Sequence, residues 1–281
     1  MSVGALAHLF GRLTVKQLAE DLSSAGIPHI QLALWKAISP FDFSKPGTLS
    51  PGLANMIRDE LAKKNVSISV LGCYLHFYHR DEEIRRVNVE RFKELIRYAP
   101  SLGCSIVAAE TGKNPGGDYT EQDWEVMRSV LQELAEEAER WGVFVGMEAA
   151  DGHLIGTAQQ LRKMLDEVPS SNIGVVMDPG NLLTTANFAN QDAVIQEAFD
   201  LLGDRIIAAH AKDRIMSEDG KLITVSPGYG KMNYDLYMKL LNQYKPHVHI
   251  IMEHAKREEM AFCKQYIEQI RSKNENEAVH A

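Results

Sequence analysis

The stretch GVVMDPGN, residues 174–181, is an apolar run that ends on a carboxylate. Val175, Val176 and Met177 have the character of a strand covered on both faces. Asp178, Pro179 and Gly180 have the character of a turn, and taken alone Asp178 needs no further reason to be there. The neighbouring runs repeat the pattern. VFVGME (143–148) ends on Glu148, RIIAAH (205–210) on His210 and VHIIME (248–253) on Glu253. Upstream, CSIVAAE (104–110) ends on Glu110. Five successive apolar runs thus place a charged or metal-binding side chain at their C-terminal ends.

Three further runs precede them: SVGALAH (2–8), PHIQLAL (28–34) and VSISVLGC (66–73). Helical sequence lies between the strands. Thr14 with Gln17 has the pattern of a capping box, and Gly26 stops the helix that follows. Ser50-Pro51 supplies an N-cap and a proline at the first helical position. Amphipathic periodicity marks helices over 81–103, 120–142, 157–168, 191–203 and 233–244, with a final one from about Lys256 to Ser272. The polar end NENEAVHA (274–281) reads as a frayed tail.

Eight strands alternating with eight helices predict one (β/α)8 barrel over residues 1–281, with its active site at the C-terminal ends of the strands. A doubly wound open sheet also alternates, but the segment after strand one, LFGRLTVKQ, has no G-x-G-x-x-G. PGYGKMN (227–233) lacks the third glycine, and the chain has neither a P-loop nor a G-x-S-x-G elbow.

The 281 residues are 45% hydrophobic, enough for a large core. The formal net charge of −8 argues against a nucleic-acid partner and for a small-molecule substrate. Cys73, Cys104 and Cys263 are too few and too scattered for a disulfide framework and read as buried thiols of a reducing compartment. The sequence shows no signal-peptide pattern and no apolar run of membrane-spanning length, so a cytoplasmic protein without membrane association is expected.

Glu148, Asp178, His210 and Glu253 are spaced by about one βα unit each, so closure of a barrel would bring them around one pocket. Three carboxylates facing one another repel, and a cation removes the repulsion. Three oxygens and one nitrogen suit Mn2+, Mg2+ or Co2+, whereas structural zinc favours thiolates or more imidazoles. Asp178 is thus expected as a ligand to one divalent ion.

With these residues in view, the chain resembles the sugar isomerase/epimerase family with a xylose-isomerase-like barrel. Ketose 3-epimerases, hydroxypyruvate isomerase, inosose-handling enzymes and endonuclease IV are among that family's relatives. The likeness runs through GALAHLFG, LGCY, ETG, MEAADGH, MDPGNLL, HAKD and IIMEH, nearly the length of the chain. It implies that Glu148, Asp178, His210 and Glu253 bind one metal ion, manganese first and magnesium, cobalt or zinc after it. It also implies that Glu148 and Glu253 act as the acid/base pair that moves a proton through an enediolate of a sugar, sugar phosphate or inosose. His153 and Lys212 would reach substrate oxygens, and Arg214 would orient a hydroxyl, although an epimerase arginine is expected a few residues later. Glu110 would line the pocket or hold Lys212, and His8 would line its floor or rim. Lys212, Arg214 and Arg257 are the candidates for binding a phosphate. His76 and His79 read as loop histidines. Where many epimerases have a histidine three residues after the strand-six aspartate, this chain has Asn181, which can hydrogen-bond substrate but cannot titrate. By analogy the barrel would pair as a homodimer.

Two alternatives stay open: a metal-dependent dehydratase of an inosose-like substrate, and a barrel that binds a sugar without turning it over. A nuclease of the endonuclease IV type is disfavoured, because strand ends two and three offer only Leu34 and Cys73 and the chain is acidic.

Overall fold

The computed structural model describes residues 3–75, 78–113 and 118–279. His76 lies outside them. Eight parallel strands close into a barrel: β1 (Val3–Leu6), β2 (His29–Leu32), β3 (Ser67–Gly72), β4 (Ile106–Glu110), β5 (Phe144–Glu148), β6 (Ile173–Met177), β7 (Ile206–Ala211) and, after a hairpin of β8 (Asp213–Met216) and β9 (Leu222–Val225), β10 (Ile250–Met252). Each barrel strand pairs with the next, β7 pairs with β10, and β10 closes on β1. This is the (β/α)8 barrel that the alternation predicts.

The helices around it are α1 (Val15–Ser24), α2 (Leu34–Ala37), α3 (Pro51–Ala62), α4 (Glu82–Tyr98), α5 (Glu121–Trp141), α6 (Ala158–Glu167), α7 (Pro179–Leu182), α8 (Gln191–Leu202), α9 (Tyr234–Tyr244) and α10 (Met260–Val279). Local chemistry starts them. Thr14, Thr120 and Thr157 each accept from the backbone N–H three residues on, and Gln17, Asp123 and Gln160 reach back in reciprocal capping boxes. Ser50 caps α3 ahead of Pro51. Gly142 ends α5 in the left-handed region, at φ +63°.

The core has two parts. Most buried apolar residues lie between the strands and the helices. A smaller cluster of Leu6, Val70, Ala108, Val176, Ala208 and Ile251 fills the barrel interior. Side chains alternate faces along a strand, so the interior cluster sets the direction of everything two residues later. Glu110 follows Ala108, Asp178 follows Val176, His210 follows Ala208 and Glu253 follows Ile251, all toward the axis. Glu148 follows Gly146, where a Cβ would lie 2.9 Å from Ala108 Cβ and 3.1 Å from Val176 Cγ2. The interior has no room for more than glycine there.

Four local readings change. β1 ends at Leu6 and turns into a short 3-10 segment, Ala7–Phe10, so His8 is not the last residue of a strand. β2 ends at Leu32 because α2 begins at Leu34. The β8–β9 hairpin is an addition that the alternation does not announce; its strands pair from Asp213–Val225 to Met216–Leu222. The closing helix, α10, also extends past Ser272. Among the described residues, no helix is long and apolar enough to cross a membrane.

Candidate active site

The strand ends open into a cavity of about 900 Å³. Glu253 lines it and leads to the other three residues that the sequence singles out, all buried: Glu148, Asp178, His210 and Glu253 are 6%, 3%, 1% and 7% exposed. Nδ1 of His210 lies 3.1 Å from Glu148 Oε1, 3.2 Å from Glu253 Oε1 and 4.0 Å from Asp178 Oδ2. One ligand atom each from Glu148, His210 and Glu253 falls within 4.8 Å of the others, a spacing that one ion could bridge. Asp178 stands directly beside them.

Lys212 lies just past the end of β7, two residues beyond His210. Its ammonium lies 2.7 Å from Glu253 Oε2 and 3.0 Å from Asp178 Oδ2, and it donates to Asn181 Oδ1 at 2.8 Å. The other end of that amide donates to Glu148 Oε1 at 2.7 Å. Asn181 therefore ties Glu148 to Lys212. Gly180 leaves the lysine stem its path, since a Cβ there would come 2.8 Å from Lys212 Cγ.

Burial raises the pKa of Glu148, opposed by the nearby His210 imidazole. Glu253 is buried as deeply, but Lys212 and His210 outweigh the burial and hold it down, at about 2. Burial lowers the pKa of His210, yet Glu148 and Glu253 prevail and raise it to about 9. Lys212 is likewise pushed up against its burial by Asp178 and Glu253. The cluster is thus a dense, desolvated set of opposed charges, as ligand and catalytic sites commonly are.

The donor set fits a divalent cation. Three carboxylates and one imidazole are the ligands that manganese, magnesium and cobalt accept. Both oxygens of Asp178 are buried, and among the described residues neither has a hydrogen-bond partner; the Lys212 ammonium lies 3.0 Å and His210 Nδ1 4.0 Å from Oδ2. A buried carboxylate with open lone pairs is rare in a purely structural role.

The second tier is placed as follows. His153 accepts the Gly112 N–H at Nδ1, 3.1 Å away, and its Nε2 lies 3.8 Å from Glu110 Oε2. Glu110 is raised to about 7 by burial and by Glu148. It faces His153, whereas Lys212 contacts Asp178 and Glu253. Arg214, on β8, donates through Nη1 to Thr224 Oγ1 at 3.0 Å and lines the wall. His8 also lines the cavity, its pKa lowered to about 4 by burial and by Lys36. Arg257 does not line the cavity; it pairs with Asp21 and lies over the Phe10 ring. His79 accepts the Asp81 N–H, 3.0 Å away, and does not line the cavity either.

Sequence reasoning missed Gln31, Tyr74, Lys36 and His254. Lys36, Tyr74 and His254 line the cavity, and Gln31 Oε1 lies 2.8 Å from His210 Nε2. A signal for Gln31 existed: it is the one polar residue inside the run IQLAL. Lys36 and Tyr74 carry no such mark. His254 stands at φ +53°, an uncommon backbone for a non-glycine residue, which no sequence pattern foretells.

Similar proteins share the whole architecture. A TIM barrel protein from Mycobacterium smegmatis, solved with magnesium, is 18% identical, with 97% of each chain covered and a TM-score of 0.74. A D-tagatose 3-epimerase-like protein is 21% identical over 99% of this chain and 100% of its own, with a TM-score of 0.76. The IOLI protein, solved with a bound zinc atom, is 19% identical over 99% and 98%, with a TM-score of 0.71. No curated protein sequence matches the chain. The profile of one family does match, over residues 19–274, from α1 to the body of α10 and through every strand-end residue described above. By that match and by its closed barrel, the chain belongs to the xylose isomerase-like TIM barrel family.

Proposed function

We propose that this chain is a divalent-metal-dependent isomerase or epimerase of a small sugar, sugar phosphate or inosose. The observation that carries the reading is the convergence of Glu148, His210 and Glu253 within 4.8 Å beside the open carboxylate of Asp178. The naming of similar structures as D-tagatose 3-epimerase-like and L-ribulose 3-epimerase supports a sugar as substrate. A cavity of about 900 Å³ accommodates one.

Glu148, Asp178, His210 and Glu253 would hold the ion, manganese in the first instance. When bound, it makes the proton beside a substrate carbonyl more acidic. The protein's own groups do the rest. Glu148 on β5 and Glu253 after β10 project from separated staves of the barrel, and in this reading each would approach a bound substrate from its own side. One glutamate takes the proton from carbon, leaving an enediolate. The other returns a proton to the opposite face, which inverts the centre; return to the neighbouring carbon interconverts aldose and ketose. Asn181 and Lys212 hold the glutamate oxygens in place and can donate to substrate hydroxyls. His153, with Nδ1 held as acceptor, presents Nε2 as a donor.

Elemental analysis of the purified, untagged protein tests the reading. About one manganese, cobalt, magnesium or zinc per chain, lost in His210→Ala, supports it and justifies a ketose and inosose screen. Two or three zinc ions per chain point instead to nuclease chemistry. No metal, even after reconstitution, removes the proposal.

A further inference from the structure

Gln31 stands in the innermost layer of the barrel, in register with Leu6 of β1 and Val70 of β3. An amide among apolar side chains is costly unless its polar ends are paired. Both ends are. Oε1 lies 2.8 Å from His210 Nε2, and Nε2 donates to the Tyr74 hydroxyl at 3.0 Å. Tyr74 is itself held: the Lys36 ammonium lies 3.8 Å from its ring centroid, and His8 packs against it edge-on at 5.5 Å. Position 72 leaves space for the arrangement, because a Cβ there would meet Tyr74 at 2.9 Å and Gln31 at 3.2 Å.

The opposite edge of His210 faces the carboxylates: Nδ1 is 3.1 Å from Glu148 Oε1 and 3.2 Å from Glu253 Oε1. A neutral imidazole carries one proton. For Nδ1 to offer its lone pair on the carboxylate side, that proton must sit on Nε2, and an acceptor must meet it there. The Gln31 carbonyl is that acceptor. Tyr74 holds the far end of the amide and opposes its turning over. Resting on the metal-binding reading above, we infer that Gln31 is a positioning residue that sets the orientation and tautomer of His210, making Nδ1 the ligand atom. It reaches this role from β2, across the barrel from β7, and nothing in the strand-end pattern contains it.

The test uses the full chain stripped of metal, titrated with Mn2+ in a calorimeter as the parent, Gln31→Leu and Gln31→Glu. Partners of this kind typically contribute 10–100-fold in metal affinity. Gln31→Leu, apolar and of similar size, should weaken Mn2+ binding by about that factor. Gln31→Glu keeps an oxygen facing Nε2 and should restore affinity to within a few-fold of the parent. A packing role predicts the reverse order: leucine tolerated in the apolar layer, glutamate harmful. The Co2+-loaded parent should also show a strongly shifted, slowly exchanging imidazole N–H in its proton spectrum, lost in Gln31→Leu and retained in Gln31→Glu. Tyr74→Phe, which removes only the hydroxyl, should show a smaller loss in the same direction and serves if the leucine variant does not fold. A parent that binds Mn2+ with an affinity unchanged by Gln31→Leu overturns the role of Gln31 alone. A parent that binds no divalent ion overturns the metal reading, and this inference with it.

Discussion

Asp213, at the root of the β8–β9 hairpin, and Asp178, at the exit of β6, are equally withdrawn from water, at 1% and 3% exposed. The hairpin root saturates its carboxylate. The backbone N–H groups of Arg214 and Met232 donate to Asp213 Oδ1 at 2.8 and 3.0 Å, and those of Gly228 and Gly230 donate to Oδ2 at 3.0 and 2.9 Å. A Cβ at position 230 would lie 2.2 Å from Oδ1, so only glycine lets the loop close around it. The strand-end ring leaves its carboxylate open: Asp178 has no hydrogen-bond partner among the described residues and one ammonium nearby. The first arrangement is complete and belongs to the fold. The second rests on an ion pair with Lys212 and keeps acceptor capacity that the proposed ion would use, and that difference sets the two aspartates apart.

The largest expected effect lies in the open region. Glu148→Gln and Glu253→Gln should each lower turnover on an identified substrate by roughly 10³-fold. Circular dichroism and the melting temperature should stay close to those of the parent, because glutamine keeps the volume. Near-parental turnover in either variant would end the two-glutamate mechanism.

The next test sets the two aspartates against each other. Asp213→Ala strands four backbone donors and should cost about 3 kcal/mol in urea unfolding. Asp178→Asn leaves Lys212 with Glu253 and Asn181, so stability should change by no more than about 1 kcal/mol, while Mn2+ binding falls at least tenfold. Equal stability losses at the two positions would erase the distinction.

The smallest effect sharpens the structural side. Asp123 is another saturated carboxylate, bound by Arg80 at 2.7 and 3.0 Å, by the Tyr78 hydroxyl and by Thr120. The Arg80 guanidinium holds it well below the usual carboxylate range, against the effect of its burial. Because Arg80 is 44% exposed, the pair is partly screened, and Asp123→Asn should cost only about 1 kcal/mol near neutral pH. The folded pKa lies below the unfolded value of about 3.9. The contribution is therefore full above roughly pH 4 and drains away as pH falls through the folded pKa. Parent and variant stabilities should differ at pH 6 and converge toward pH 2; a gap that widens in acid would contradict the assignment.

Much of the site was legible because strand periodicity is local. Val176 faces the axis, so Asp178 does too, and the same step of two carries Ala208 to His210 and Ile251 to Glu253. His8 was assigned to the right cavity through the wrong element, because nothing in ALAHLF marks where a strand yields to a 3-10 turn. The hairpin went unread because DRIM carries two charges, LITV is only four residues long, and the two form strands by pairing with each other rather than with the barrel. Of the two places expected for Glu110, lining the pocket or holding Lys212, it takes the first, and Lys212 contacts Asp178 and Glu253 instead.

The sequence by itself determined the alternation of strands and helices, the caps that start the helices, and which residue types stand at the strand ends. These follow from neighbours a few positions apart, through pleat, helical period and capping. Only the tertiary structure decided that Gln31 meets His210 across the barrel, that Asn181 links Glu148 to Lys212, and that Asp178 is left with open oxygens while Asp213 is not. Those are contacts between residues far apart in the chain. They exist because closing the barrel brings the strand ends together in one buried space.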